Sequence, residues 1–223
     1  MSLEQWTDVD RYICEKLVAS DDALDGAQHA AAEAGLPAIS VSAAQGKLLQ
    51  ILVQLHRAKT ILEIGTLGGY STIWMARALP AGGRLISLEI DPKHAQVATA
   101  SLAKAGVGDK VEVRVGAAIE SLPVLAAEGV GPFDLIFIDA DKASNADYFA
   151  WALKLSRKGT MIIVDNVVRN GAVLDAETDS ADIVGTRRLF DALAAEARVN
   201  ATAIQTVGSK GYDGFVIGVV DPG

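Results

Sequence analysis

Apolar residues fall at helical spacing through the first 57 positions and then switch, from Thr60, to short unbroken runs. Trp6 to Ala19 carries Trp6, Tyr12, Ile13, Leu17 and Val18 at helical intervals, and a second short helix is predicted over Asp22–Ala34. Gly35 and Pro37 end it. Ser42 followed by Gln45 reads as a capping box, with Leu48, Leu49, Leu52 and Leu55 as the apolar face behind it. None of this resembles half of a βαβ unit. Residues 1–57 are expected to form a helical cap over the ligand edge of the strand-bearing remainder of the chain.

Strand-like runs then appear at Thr60–Ile64, Arg84–Ile90, Lys110–Val115, Phe133–Ile138 and Met161–Val164. Helical stretches separate them at Gly69–Leu79, Pro92–Ala105, Ala118–Ala127 and Ser144–Leu155. Short runs that are apolar on both faces suit a parallel sheet covered by helices, and crossover-length connections suit an open, doubly wound α/β fold. A loop over residues 166–180 and a helix over Ile183–Ala197 lead to two last runs, Thr202–Thr206 and Gly214–Val220. These are expected to pair as an antiparallel edge hairpin around Gly208-Ser209-Lys210-Gly211.

Composition narrows the picture. A chain of 223 residues, half of them apolar, supports one substantial core, so a single domain is expected over 1–223. The net charge of −8 leaves no basic stripe for a nucleic-acid backbone. Cys14 is the one cysteine, which excludes an intrachain disulfide and a thiolate metal cluster. No basic segment followed by an apolar run opens the sequence and no apolar run reaches membrane length, so a cytoplasmic enzyme without a membrane partner is expected.

Ligands of open α/β sheets lie beyond the carboxyl ends of the strands, where four segments carry candidate chemistry. Glu63-Ile64-Gly65-Thr66-Leu67-Gly68-Gly69 follows the first strand and opens a helix. Gly65 permits a tight turn and close backbone approach. The spacing is neither G-x-G-x-x-G nor a phosphate loop, so it suits a nucleoside with an uncharged or zwitterionic tail. Ser71 or Thr72 is placed to bond such a tail. Glu89 ends the second strand, where a carboxylate accepts ribose hydroxyls. Gly116-Ala117-Ala118 leaves room for a flat base.

The fourth segment is Asp139-Ala140-Asp141-Lys142, with Asp165-Asn166 ending the next strand. Neighbouring parallel strands stand about 4.8 Å apart, which lets Asp139, Asp165 and Asn166 converge. Two carboxylates and an amide oxygen are hard ligands that suit Mg²⁺, or else Ca²⁺ or Mn²⁺. A cation lowers the pKa of an acceptor hydroxyl, and Lys142 is close enough to take its proton. Asp134 reads as structural, Asp141 as at most a cofactor contact, and His29, His56 and His94 as surface or packing residues.

On these residues, together with Val41-Ser42, Tyr70-Ser71, Leu88-Glu89, Phe137-Ile138 and Val164, the chain resembles the class I cation-dependent O-methyltransferases. The likeness is to bacterial relatives of caffeoyl-CoA O-methyltransferase and, more distantly, to catechol O-methyltransferase. It implies a Rossmann-like seven-stranded sheet with a reversed last strand, S-adenosylmethionine as methyl donor, and a homodimer. It also implies that Val41, Glu63, Gly65, Thr66, Ser71 and Asp141 contact the cofactor, with Glu89 on the ribose and Ala118 beside the adenine. Asp139, Asp165 and Asn166 match its cation ligands, and Lys142 its general base. Near Arg169, where relatives often carry an aromatic residue, this chain departs, and a role for Arg169 toward an anionic acceptor group stays open. Without a basic cluster to mark a CoA thioester, a small vicinal diphenol is the expected acceptor, by family analogy. The rival readings are an NAD-dependent oxidoreductase, disfavoured by the glycine spacing, and a regulatory protein that binds S-adenosylmethionine without turnover.

Overall fold

Every apolar run predicted as a strand is one. The computed structural model describes residues 2–19 and 21–221. Its strands are β1 (Thr60–Ile64), β2 (Arg84–Glu89), β3 (Val111–Val115), β4 (Phe133–Ile138), β5 (Ser156–Asp165), β6 (Val199–Gly208) and β7 (Gly211–Val220). They make one seven-stranded sheet in the order β3-β2-β1-β4-β5-β7-β6. β1 to β5 run parallel, β7 is antiparallel to β5, and β6 is antiparallel to β7.

The helices are α1 (Leu3–Leu17), α2 (Asp22–Glu33), α3 (Ala43–His56), α4 (Tyr70–Ala78), α5 (Pro92–Lys104), α6 (Ala118–Ala127), α7 (Asn145–Lys154) and α8 (Ala181–Ala195). Strand side chains alternate between faces and build two cores. Ile61, Leu85, Leu135, Phe137 and Ile163 pack with Leu49, Val53, Ile73, Met75 and Leu102. Leu62, Ile64, Ile86, Ile136 and Ile138 face the other way, onto Leu122, Leu125, Phe149 and Leu189. Phe133, Phe137 and Phe149 are among the largest fully buried side chains; each contributes about 2–3 kcal/mol through burial. Two covered faces are the reason these strands read as unbroken apolar runs.

The differences from expectation lie at the ends of the chain. β5 begins at Ser156 rather than Met161, and β6 spans Val199–Gly208 rather than Thr202–Thr206. β6 pairs with β7 along its whole length, from Val199↔Val220 to Gly208↔Gly211, beyond the predicted run at both ends. The hairpin turn falls on Ser209-Lys210 as expected. The loop over 166–180 contains a 3-10 segment at Arg169–Leu174.

α1 has the predicted amphipathic spacing but contributes no buried residue; Tyr12 is 64% and Leu17 73% exposed. It lies on β6 and α3 and is fastened by Asp10, which accepts from the Ser209 amide at 2.7 Å and hydroxyl at 3.0 Å. On α3 the buried stripe is Gly46, Leu49 and Val53, while Leu55 is exposed. The capping box is half formed: Ser42 Oγ accepts from the Gln45 amide at 3.2 Å, but the Gln45 side chain bonds Asp165 instead of reaching back.

Candidate active site

The Gly-rich turn is held by main-chain geometry. Gly65 has φ +99°, and a Cβ there would lie 2.1 Å from the Asp139 carbonyl oxygen, so only glycine fits. The Asp139 amide donates to Ile64 O at 2.8 Å, and the Gly65 amide to Leu88 O at 2.9 Å. Glu89 clamps the turn: Oε2 accepts from the Thr66 amide at 3.2 Å and the Leu67 amide at 2.7 Å, while Oε1 accepts from the Asp91 amide at 2.9 Å. α4 then starts after Gly69 without a side-chain cap, which leaves its first amides available to an anionic group.

Beneath the turn sits Glu63, with no exposed surface. Its carboxylate accepts from Ser71 Oγ, Thr72 Oγ1 and Ser87 Oγ, each at 2.6 Å. Ser87 spends its proton on Glu63, so the 2.5 Å contact between Thr66 and Ser87 has Thr66 as donor. Burial drives the Glu63 carboxyl up to about 7, against the pull of the three hydroxyls. The sequence offers Ser71 or Thr72 to a ligand tail. In the structure both hydroxyls are committed to Glu63 instead, and Thr72 has no exposed surface. Val41 is buried just ahead of α3, and Ala118, half-buried, opens α6 two residues after Gly116, whose φ is +152°.

The two carboxylates expected to hold a cation come together across two strands. Ile138 pairs with Val164, which brings Asp139 and Asp165, one residue further on each strand, side by side. Asp165 is 4% exposed; Asp139 Oδ1 accepts from Lys142 Nζ at 2.7 Å, and Lys142 is itself buried. Burial first, and then the Asp139 charge, push the Asp165 carboxyl well above the usual carboxylate range, with Lys142 acting in the opposite sense. Asn166 follows with φ +58°, a left-handed conformation that asparagine tolerates, and its amide donates to Asp165 Oδ1 at 2.8 Å. Among the described residues no group of three acidic, histidine or cysteine side chains is arranged to hold a metal ion, so a cation between Asp139 and Asp165 would need a further donor such as the Asn166 amide oxygen. The residues fit a hard divalent ion: two carboxylates forced together under burial, opposed by one ammonium, are what such an ion relieves.

The neighbouring candidates divide. Asp141 caps the 3-10 turn Lys142–Ser144, accepting from the Ser144 amide at 3.0 Å and from the Tyr148 hydroxyl. Burial alone would raise its carboxyl, but the bonds from Ser144 and Tyr148 hold it below the usual range. Asp134 is structural, accepting from the amides of Lys59 and Thr60 and from Arg157. Arg169 pairs with Asp182 at 3.4 Å.

Two residues near the site escape sequence reasoning. His94 reads as a packing residue, yet its ring stands 3.6 Å from Glu89 and 3.7 Å from Asp91. Its place in the first turn of the helix after Glu89 is the available signal. Gln45 reads as part of a helix cap, and nothing in its spacing points to Asp165.

The comparisons agree with this geometry. Residues 15–214 match the family model described as O-methyltransferase. A catechol O-methyltransferase of Niastella koreensis is 54% identical over 220 residues, covering 99% of this chain and 100% of its own. One from Mycobacterium tuberculosis is 52% identical over 213 residues, covering 96% and 95%. The crystal structure of an O-methyltransferase from Bacillus cereus in complex with SAH superposes with a TM-score of 0.98 at 54% identity, covering 99% and 100%. An O-methyltransferase of Streptomyces achromogenes involved in tomaymycin synthesis, in complex with SAM, gives 0.96 at 50% identity, covering 99% of both chains. With most of its length matched by the family model, this chain belongs to the O-methyltransferase family.

Proposed function

We propose that this protein transfers the methyl group of S-adenosylmethionine to one hydroxyl of a small vicinal-dihydroxy aromatic, with a divalent cation, Mg²⁺ first, held by Asp139, Asp165 and Asn166. The observation that carries this is the Asp139–Asp165 pair, set together beside Lys142 and directly behind the Gly-rich turn. S-adenosylmethionine supplies an electrophilic methyl on a sulfonium, and the cation supplies charge that lowers the pKa of an acceptor hydroxyl.

The chain's own residues do the rest. Glu89 has acceptor capacity left beyond the three amides it holds, and takes the ribose hydroxyls. Val41, Gly65, Thr66 and Ser71 shape the crevice for the methionine part, Ala118 lies beside the adenine, and Asp141 borders it. Glu63 acts from beneath, by fixing Ser71 and, through Ser87, Thr66. Lys142 accepts the hydroxyl proton. Its Nζ stands 2.7 Å from Asp139 Oδ1, which would place the amine beside an acceptor hydroxyl held at the proposed cation position. The oxygen's electron pair forms the new C–O bond while the C–S bond breaks, and positioning supplies most of the acceleration.

A relative named for catechol methylation and two similar structures holding SAH or SAM support this reading. Among the described residues no helix is long and apolar enough to cross a membrane. The same reading includes a homodimer, checked by sedimentation. The test is methylation of catechol with Mg²⁺ and with a chelator, alongside titrations with S-adenosylmethionine and NAD. Full turnover in chelator would remove the cation, binding of NAD alone would favour the oxidoreductase, and binding without turnover the regulatory protein.

A further inference from the structure

α8 crosses behind the lysine turn, and it does so through a residue without a side chain. Its buried residues are Ile183, Gly185, Thr186 and Leu189. A Cβ at Gly185 would stand 2.3 Å from the Lys142 carbonyl oxygen, 2.6 Å from Ala143 Cα and 2.7 Å from Ala143 O. All three are main-chain atoms, which cannot swing aside as a side chain would. The Lys142 carbonyl is also committed, because it accepts the Asn145 amide that closes the 3-10 turn. Glycine is a poor helix former in mid-helix, so helix stability gives no reason for it here. Contact with the turn does.

The same helix also holds the loop that follows β5. Asp182 pairs with Arg169 at 3.4 Å, and Arg187 donates to Val173 O at 2.7 Å, both in the segment after Asp165-Asn166. α8 therefore spans from the Lys142 turn to the loop after the cation ligands.

We propose that Gly185 is a positioning residue for Lys142. By letting α8 touch the main chain of Lys142 and Ala143, it sets how deep the ammonium sits beside Asp139, and so where the acceptor hydroxyls must lie. A methyl group here forces the turn and α8 apart by about 1 Å, a displacement of the size that costs roughly 100-fold when it reaches reacting groups. The inference rests on Lys142 being the base proposed above.

The test compares G185A, K142A and L189A in the same full-length protein, with catechol-type acceptors that carry a ring substituent. Leu189 is a fully buried core residue one turn further along α8 and is not itself a proposed ligand. G185A is expected to lower kcat roughly 10- to 100-fold, to leave S-adenosylmethionine affinity within about twofold, and to change the ratio of the two regioisomeric products. L189A should lower Tm while leaving kcat per folded molecule and the product ratio as they were. If G185A is unstable at the assay temperature, it is measured cold under saturating S-adenosylmethionine, which favours the folded form by mass action. Loss of Tm in G185A with unchanged kcat and product ratio overturns the positioning role. Unchanged kcat in K142A overturns the lysine's role as base, and the inference with it; reduced kcat in K142A but not in G185A removes the inference alone.

Discussion

Lys142 Nζ lies 2.7 Å from Asp139 Oδ1, and both side chains are largely shielded from water while Asp165 stands alongside. One ammonium is thus shared by a site with two carboxylates. The group expected to accept a proton is held directly against a group expected to bind a cation. Replacing Lys142 with alanine should lower kcat about 100- to 10,000-fold, the range of general-base catalysis. The dissociation constant for S-adenosylmethionine should stay within about threefold, read by calorimetry. An unchanged rate would remove Lys142 as base.

Asp165 should separate cofactor from cation. D165N keeps the shape but removes one charge from the cation set, so methyl transfer should fall at least about 100-fold at fixed Mg²⁺. S-adenosylmethionine binding should be nearly unaffected. In chelator, D165N should be more stable than the parent at pH 8, since burial and Asp139 disfavour the ionised Asp165. Equal thermal transitions in chelator at that pH would contradict this.

Glu63 makes its own prediction about pH. Its carboxyl is raised to about 7 in the folded protein, against an ordinary value of 4.5. The folded state keeps this proton where the unfolded chain has lost it, so the contribution is complete below about 4.5 and is lost as pH rises toward about 7. The loss amounts to about 3 kcal/mol at most. E63Q, neutral throughout, should flatten this part of the stability profile, seen in denaturant titrations at pH 5 and pH 8. A parent and variant with parallel profiles would show Glu63 to be ionised throughout.

Glu89 holds two amides of the turn as well as facing the expected ribose. E89A should therefore weaken S-adenosylmethionine binding by about 10- to 1,000-fold, as losing charge-assisted hydrogen bonds of about 1.5–3 kcal/mol each implies. Saturating cofactor should restore much of kcat. A kcat loss without any change in affinity would place Glu89 outside the cofactor site.

Burial decides how much of the molecule was legible in the sequence. β4 and β5 are enclosed on both faces, so Asp139 and Asp165 stand out as acids ending apolar runs, and their pairing comes from adjacent strands. β6 is an edge strand whose Asn200, Thr202, Gln205 and Thr206 obey no core, and its ends are fixed by main-chain pairing that side chains do not encode. α1 shows the opposite error: Tyr12 and Leu17 carry helical spacing without reaching the core, because amphipathicity tells which residues share a stripe, not what covers it. Gln45 and Gly185 were invisible for a third reason. Each matters through a contact with a residue distant in the chain, or through the absence of a side chain.

Gly65 and Asp139 meet main chain to main chain, so the turn expected to carry the cofactor and the strand end expected to bear a cation ligand are one piece of backbone. The spacing between those two expected sites is thereby written into sheet geometry and not into replaceable side chains.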